Sequence, residues 1–236
     1  MYRGKIFIFG YSKRTLFLTK SLHTKEFKIT IVVSAQKDYD DAKRAGFVDI
    51  AIIDMTDDIE LSSLNVKLND DLVCVMEDSH FNVFLTLSLH ALYPQNRIIA
   101  LSDSFHTTQK LKMAGASKVI DLYQVSSNRI YNILNKPVAT HFIDSILSFE
   151  DKLSLREITI PNGSVINKVM VDDFNFVEFK IILIGMVDRR LSQQFLFITS
   201  GLAHRLDIGD ILVCMGYNED LDKFEEFIAK SSCESI

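Results

Sequence analysis

Residues 5–22 read KIFIFGYSKRTLFLTKSL, and this stretch decides the fold. The apolar run over 6–9 predicts a buried strand, Gly10 predicts a tight turn, and leucines at helical spacing after Thr15 predict a helix. Strand, glycine turn and helix in this order open a Rossmann-like unit. The chain is therefore predicted to begin with a parallel α/β sheet.

The phosphate-binding fingerprint G-x-G-x-x-G of such units is incomplete here. Ser12 and Thr15 stand where the second and third glycines would let the backbone approach a pyrophosphate and let the helix pack closely on the strand. The carboxylate that would hold a ribose about 20 residues further on is also missing, because the strand over 29–33 leads into Ser34. The pattern favours a scaffold used for regulation over a dehydrogenase.

Composition narrows the class of protein further. With 236 residues and 47% hydrophobic content the chain can bury a sizeable core. A net charge of −5 without a Lys/Arg stripe argues against a nucleic-acid partner. No apolar run approaches the roughly 18–20 residues that span a bilayer, and no signal-peptide core is present, so any membrane role is expected from a partner or another segment. The widely spaced Cys74, Cys214 and Cys233 predict a reducing compartment and no disulfide.

Two patterns divide the chain. Short apolar strands alternate with helices up to residue 120, which predicts a parallel sheet with helices on both faces. The predicted strands are 5–9, 28–33, 48–53, 72–76, 97–101 and 118–120, and the predicted helices between them are 38–45, 57–64, 82–92 and 104–113. Gly46 and Gly115 stand where helix-ending glycines would. Helix 82–92 is apolar all round, so we expect it to pack on the sheet and on another subunit.

After residue 121 the pattern changes to two helices, 125–134 and 138–149, on either side of Pro137. A β-rich part follows. Its predicted strands are 155–160, 179–187, 195–199 and 210–215, and a helix over 220–229 ends it. We therefore predict a Rossmann-like lobe over 1–121, crossover helices over 122–150 and a smaller α+β lobe over 151–236.

Polar residues at the strand ends are candidates for a ligand site. Lys13 and Arg14 in the first turn of a helix suggest an anion site with the free N–H groups, or a solvated helix start. Asp54, Glu77 and Asp78 follow strands at the carboxyl edge of the sheet, where they could bind a cation through oxygen or simply cap helices. The full candidate set is Gly10, Ser12, Lys13, Arg14, Thr15, Ser34, Asp54, Glu77, Asp78 and Asp103.

Other motifs carry weaker signals. Asp103 and His106 could suit a transition metal, or be a helix cap and a surface histidine. Arg189 and Arg190 could meet an anionic effector, or form a charged hairpin turn. No nucleophile elbow, zinc motif or phosphate loop is present, so we predict no catalytic residues and no metal ligands, and we name no cofactor.

Three segments carry a family resemblance: GYSKRTL at 10–16, LKMAGASKVI at 111–120, and LREITIPNGS at 155–164 with LDIGDIL at 206–212. They resemble the glycine-poor first turn, the L-x-x-A-G-A-D-x-V-I run, and the I-P-x-G-S and G-D-x-L motifs of the RCK family. This family regulates potassium conductance in ligand-gated potassium channels and in Trk/Ktr-type potassium transporters. The resemblance covers nearly the whole chain.

The resemblance implies a working principle. It implies dimers that assemble into an octameric gating ring on the cytoplasmic side of the inner membrane, where an ion or small-molecule effector changes the ring and the ring pulls on a potassium channel pore. The helices over 125–149 would be the crossover between paired subunits, and helix 82–92 an assembly surface. The family's calcium-responsive members carry an E-x-E motif after the fifth strand. This chain has Leu101 and Asp103 at the two glutamate positions, so it departs from the motif.

Two alternatives stay open from the sequence. The chain could be a soluble nucleotide-binding subunit of a Trk/Ktr-type transporter, or a degenerate NAD(P)-dependent enzyme. The residues also do not separate a detached channel domain from a separate soluble subunit.

Overall fold

The computed structural model describes residues 4–23, 27–147, 153–189, 194–198 and 204–229. The chain divides into two compact units, Met1–Tyr131 and Asn132–Ile236. The three-part division at residues 121 and 150 stays a prediction, and its second limit falls on residues outside the described ranges.

The first unit is built around a six-stranded sheet. Its elements are β1 (Ile6–Phe9), α1 (Lys13–His23), β2 (Ile29–Val33), α2 (Gln36–Arg44), β3 (Ile50–Ile52), α3 (Asp58–Ser63), β4 (Asp71–Cys74), α4 (Ser79–Leu92), β5 (Arg97–Ser102), α5 (Phe105–Met113) and β6 (Lys118–Asp121), followed by α6 (Leu122–Asn135). The strand order is β3-β2-β1-β4-β5-β6, and all pairs are parallel. The predicted Rossmann-like sheet is confirmed.

The strands of this sheet are apolar because both faces are covered around β1. Side chains alternate across a strand, so Phe7 and Phe9 enter the core under α4 and α5. Ile6 and Ile8 point to the opposite face and join the core under α1 and α2. All four residues of β1 are buried, and this strand is the centre from which the candidate site is built.

The helix-ending glycines are confirmed. Gly46 after α2 has φ +94° and Gly115 after α5 has φ +98°, backbone conformations that glycine adopts without steric cost. The Phe47 amide donates to the Ala42 carbonyl at 3.2 Å across the first of them, as in a Schellman helix end.

The second unit packs an antiparallel sheet against a helix. Its elements are α7 (Pro137–Leu147), β7 (Leu153–Thr159), β8 (Ile182–Val187), β9 (Phe195–Phe197), β10 (Ile211–Tyr217) and α8 (Asn218–Ala229). The strand order is β7-β10-β8-β9, and the core includes Leu212, Cys214 and Phe224. The predicted smaller α+β part is confirmed. Residues 148–149 and 199, at the ends of two predicted elements, lie outside the described ranges.

Several predicted boundaries were wrong. The helices α4 and α6 begin at Ser79 and Leu122, three residues before their predicted starts. A strand was predicted over 179–187, but Phe176–Phe179 form a 3₁₀ turn and the strand begins only at Ile182. The aromatic rings explain this, because Phe179 packs on Phe224 of α8 with centroids 5.4 Å apart. Lys180 then ends the turn with φ +55°.

Two cysteines are described, and both are free and buried, Cys74 in the first unit and Cys214 in the second. Burial raises the pKa of each thiol to about 12, so both behave as core side chains. Cys233 lies outside the described residues.

Candidate functional site

The topology creates a crevice between the carboxyl ends of β1 and β4. These strands are neighbours in the sheet, although β2 and β3 lie between them in the chain. The connections therefore leave in opposite directions at this point, and parallel α/β sheets bind their ligands at such a switch point.

Gly10 turns the chain at the end of β1. Its φ is +103° and its amide donates to the Val32 carbonyl at 2.9 Å. A Cβ at this position would lie 2.6 Å from Sδ of Met76, the second residue after the end of β4. Glycine is required here for both the backbone angle and the close contact.

Ser12 and Thr15 close the turn with their hydroxyl groups. Thr15 is fully buried, and its Oγ1 donates to the Gly10 carbonyl at 2.8 Å and accepts from the Ser12 amide at 3.3 Å. Ser12 Oγ accepts from the Arg14 amide at 3.2 Å. The residues that replace two fingerprint glycines thus satisfy main-chain groups of the turn itself.

The two predicted cationic residues take different positions. Lys13 is exposed at the start of α1. Arg14 is half-buried, and its Nη1 donates to the Met76 carbonyl at 3.4 Å. Arg14 therefore spans from α1 to the end of β4.

Asn82 on α4 is a site residue that sequence reasoning missed. It is 1% exposed. Its Oδ1 accepts from the Met76 amide at 3.0 Å, and its Nδ2 donates to the carbonyls of Met76 at 3.0 Å and Leu101 at 3.3 Å. The amide thereby joins the ends of β4 and β5. An amide inside the apolar run 81–87 was the only available signal.

A second buried amide acts at the opposite edge of the sheet. Asn96 precedes β5, and its Nδ2 donates to the Lys67 carbonyl at 2.7 Å and to the Asp70 carbonyl at 3.0 Å. Both carbonyls lie just before β4, so β4 is held by a side-chain amide at each end.

Two of the predicted carboxylates organise the backbone after their strands. Asp54 accepts from the Thr56 hydroxyl at 2.6 Å and the Thr56 amide at 2.8 Å, and these bonds lower the pKa of Asp54. Asp78 caps α4 by accepting from the amides of His80 at 2.8 Å and Phe81 at 3.3 Å.

The remaining candidates follow three different strands at the same edge of the sheet. Ser34 and Glu77 are exposed after β2 and β4, and Asp103 is half-buried after β5. Ser104, not Asp103, caps α5, because Ser104 Oγ accepts from the Thr107 amide. Within the described residues, no three His, Cys, Asp or Glu side chains form a group that could hold a metal ion.

The second unit holds a buried acidic cluster. Asp210 is fully buried, and burial, followed by the charge of Asp188, raises the pKa of Asp210. Asp188 Oδ2 lies 3.3 Å from His204 Nε2. Arg189 is exposed and its amide donates to Asp210 Oδ1 at 3.4 Å, whereas Arg190 lies outside the described residues.

This fold defines a class. A glycine turn between the first strand and helix of a six-stranded parallel sheet is the arrangement of a Rossmann-like domain. Residues 6–122 match the TrkA-N domain family and belong to it.

The relatives are potassium channel proteins. The chain is 26% identical over 223 residues to potassium channel protein 1 of Methanocaldococcus jannaschii, covering 94% of this chain and 66% of the relative. It is 26% identical over 165 residues to the probable potassium channel protein 2 of the same organism, covering 67% and 47%. The chain thus spans about two thirds and about half of these relatives' lengths.

Solved structures show the same fold. The human SLO3 gating ring aligns with a TM-score of 0.63 at 12% identity, over 93% of this chain and 46% of that one. The GsuK channel aligns with a TM-score of 0.50 at 16% identity, over 97% and 39%. The resemblance to the RCK family is confirmed, and the chain is homologous to potassium channel proteins. No helix within the described ranges is long and apolar enough to cross a membrane.

Proposed function

We propose that this chain is the regulatory RCK part of a potassium channel. It assembles with further copies into an octameric gating ring at the cytoplasmic face of the inner membrane and controls potassium flux through a pore domain. It acts without catalysis, by binding an ion or small-molecule effector better in one ring state than in another. Homology to potassium channel proteins supports the proposal.

The observation that carries it is the exposure of the apolar side chains of α6 and α7. The structure describes α6 in full, and this helix has no buried residue. Tyr123, Leu134 and Val138 are 69%, 74% and 83% exposed. The other exposed apolar side chains of the two helices are Val125, Ile130, Tyr131, Ile133, Phe142 and Ile143. Helices this apolar need a covering partner.

An open groove in the first unit supports the same conclusion. The helices α4 and α5 cover one face of β4–β6, but on the side of α1 a cavity of about 400 Å³ is lined by Val73, Ile99, Leu101 and Ile120. On the outside of α4, Phe84 and Leu87 are also exposed. We assign these exposed apolar side chains to contacts with further copies of this chain, since apolar side chains this exposed need a covering partner.

Leu134→Asp tests the assembly. Burying a leucine contributes about 1.5–3 kcal/mol, and a two-fold interface contains it twice, so the dimer should lose about 3 kcal/mol or more. The dissociation constant should rise by about a hundredfold. Val48→Asp is the matched control, because Val48 is 98% exposed and lies outside both helices.

Light scattering after size-exclusion chromatography gives the outcome. We expect the wild type and Val48→Asp to be dimers or larger, and Leu134→Asp to be a monomer with an unchanged circular dichroism spectrum. A monomeric wild type at tens of micromolar would overturn the assembly.

A chimaera tests the link to a pore. This chain replaces the homologous region of M. jannaschii potassium channel protein 1, and potassium flux is measured in liposomes. We expect the candidate effectors to change potassium flux in the chimaera. In the chimaera that carries Leu134→Asp, we expect flux that does not respond to the effectors. Flux that is the same with the chain, with Leu134→Asp and with the region deleted would reject the gating role.

The transporter-subunit and enzyme alternatives differ from the proposal in what the chain does with nucleotides. Tight binding of ATP or NAD by this chain would favour the transporter subunit, and turnover of NAD(P) would favour an enzyme.

A further inference from the structure

The fold raises the question of a dinucleotide, because Rossmann units hold a pyrophosphate with main-chain N–H groups at the start of the first helix. Two of these groups are already bonded here. The Ser12 amide donates to Thr15 Oγ1 at 3.3 Å, and the Arg14 amide donates to Ser12 Oγ at 3.2 Å. A phosphate would have to displace both hydroxyl groups, and Thr15 is fully buried.

The space in front of the turn is filled as well. Met76 Sδ lies only 2.6 Å from the position that a Gly10 Cβ would occupy, so the thioether packs directly on the turn. The Arg14 guanidinium donates to the Met76 carbonyl, and Asn82 bonds both the amide and the carbonyl of Met76. Side chains of the protein therefore occupy the switch point between β1 and β4.

The ribose contact is missing too. Ser34 at the end of β2 is exposed and uncharged, whereas a dinucleotide site uses a carboxylate there to accept from the ribose hydroxyl groups. The residues present do not fit the dinucleotide that the fold commonly binds.

We infer that the protein's own side chains close the crevice and that it is not a dinucleotide site. The contacts that close it are called the brace. Arg14, Met76, Asn82 and the Leu101 carbonyl form one chain of contacts from α1 across the ends of β4 and β5. The inference is independent of the proposed assembly. Nucleotide binding would overturn the closed crevice but not the proposed ring. A monomeric wild type would overturn the ring but not the closed crevice.

Binding of NAD, ATP and ADP to the full chain is the first test, by calorimetry and by thermal melting at about 1 mM ligand. We expect no melting shift, since a ligand at a concentration below its dissociation constant adds little stability. A dissociation constant below about 100 µM for the wild type would overturn the inference, because that affinity gives a clear shift at this concentration.

A restored variant tests the cause. Ser12→Gly/Thr15→Gly/Ser34→Asp frees the two amides and supplies the ribose carboxylate, so we expect NAD to bind at least about tenfold tighter than to the wild type, a gain of about 1.4 kcal/mol. Ser34→Asp alone is the matched control, because it changes only an exposed side chain, and we expect it to bind no better than the wild type. If the triple variant folds but binds NAD no tighter than the wild type, the proposed closure of the turn by Ser12 and Thr15 is overturned.

A second variant keeps the test decisive if the triple variant does not fold. Ser12→Gly/Ser34→Asp leaves buried Thr15 in place and frees only the Arg14 amide, and it must also gain affinity for NAD. Amide hydrogen exchange needs no ligand: Thr15→Val removes the acceptor of the Ser12 amide, and exchange at Ser12 should speed up by about tenfold. Unchanged exchange at Ser12 would show that the turn is not closed by Thr15.

Discussion

Replacing Asn82 with alanine should loosen the carboxyl edge of the first unit. The substitution removes three hydrogen bonds at once. The Met76 amide and the Leu101 carbonyl lose their side-chain partner, while the Met76 carbonyl keeps Arg14. A buried polar group left unpaired costs about 1–3 kcal/mol. Since Met76 is half-buried and water can reach part of the gap, we expect a total loss of about 2–4 kcal/mol.

Urea unfolding followed by tyrosine fluorescence measures this loss in the correct unit. The chain has no tryptophan and 7 tyrosines, of which Tyr217 alone belongs to residues 132–236. The signal therefore reports mainly on the first unit. With a slope of about 1–3 kcal/mol per molar urea, the midpoint should fall by about 1–2 M.

Two companion variants sharpen the result. Asn82→Asp keeps the acceptor for the Met76 amide but sets a buried carboxylate against two carbonyls, so it should be at least as unstable at neutral pH. Asn69→Ala, at an exposed position, should change stability by less than about 0.5 kcal/mol. If Asn82→Ala unfolds at the same urea concentration as Asn69→Ala, the amide does not hold the strand ends and the brace is refuted.

Three further outcomes are expected. Gly10→Ala, which needs φ +103° and sets a methyl group against Met76, should cost about 2–3 kcal/mol in the same urea assay, and a loss below about 0.5 kcal/mol would contradict the close contact. Asp78→Ala should cost about 1 kcal/mol through the lost α4 cap without changing the oligomer, which light scattering checks. Burial, with Asp188 second, raises the pKa of Asp210, so the folded state holds a proton that the unfolded state releases. The second unit should gain stability as pH falls from neutral through the folded pKa and stop gaining below about 3.9, the unfolded value. Asp210→Asn should lack this gain in melting curves from pH 7 to pH 4, and parallel profiles would exclude the mechanism.

The first unit was predictable because its signals are local. Each strand is a short apolar run between turn residues, and glycines end α2 and α5 where the helical spacing stops. The 3₁₀ turn over 176–179 was not predictable, because an apolar run there fits a strand equally well. Only the contacts of Phe174 and Phe179 with distant α8 decide between them.

The candidate site also contains residues that the sequence could identify and residues that it could not. Gly10 could be identified because a turn between strand and helix requires it. Asn82 could not, because its three partners are main-chain atoms of residues 76 and 101, and the sheet alone brings these together. The hydroxyl bonds of Thr15 were equally hidden, since the sequence shows a missing glycine but not what the replacement contacts.

The paired amides at the two ends of β4 limit how this sheet can move. Asn96 holds the backbone just before the strand, and Asn82 holds it just after. A slide of β4 along β5 by one residue, about 3.3 Å, would break both sets of bonds together. This sheet is therefore not expected to transmit a signal by sliding one strand along another. We expect a displacement that begins at the crevice to move β4 and β5 together toward the opposite edge of the sheet.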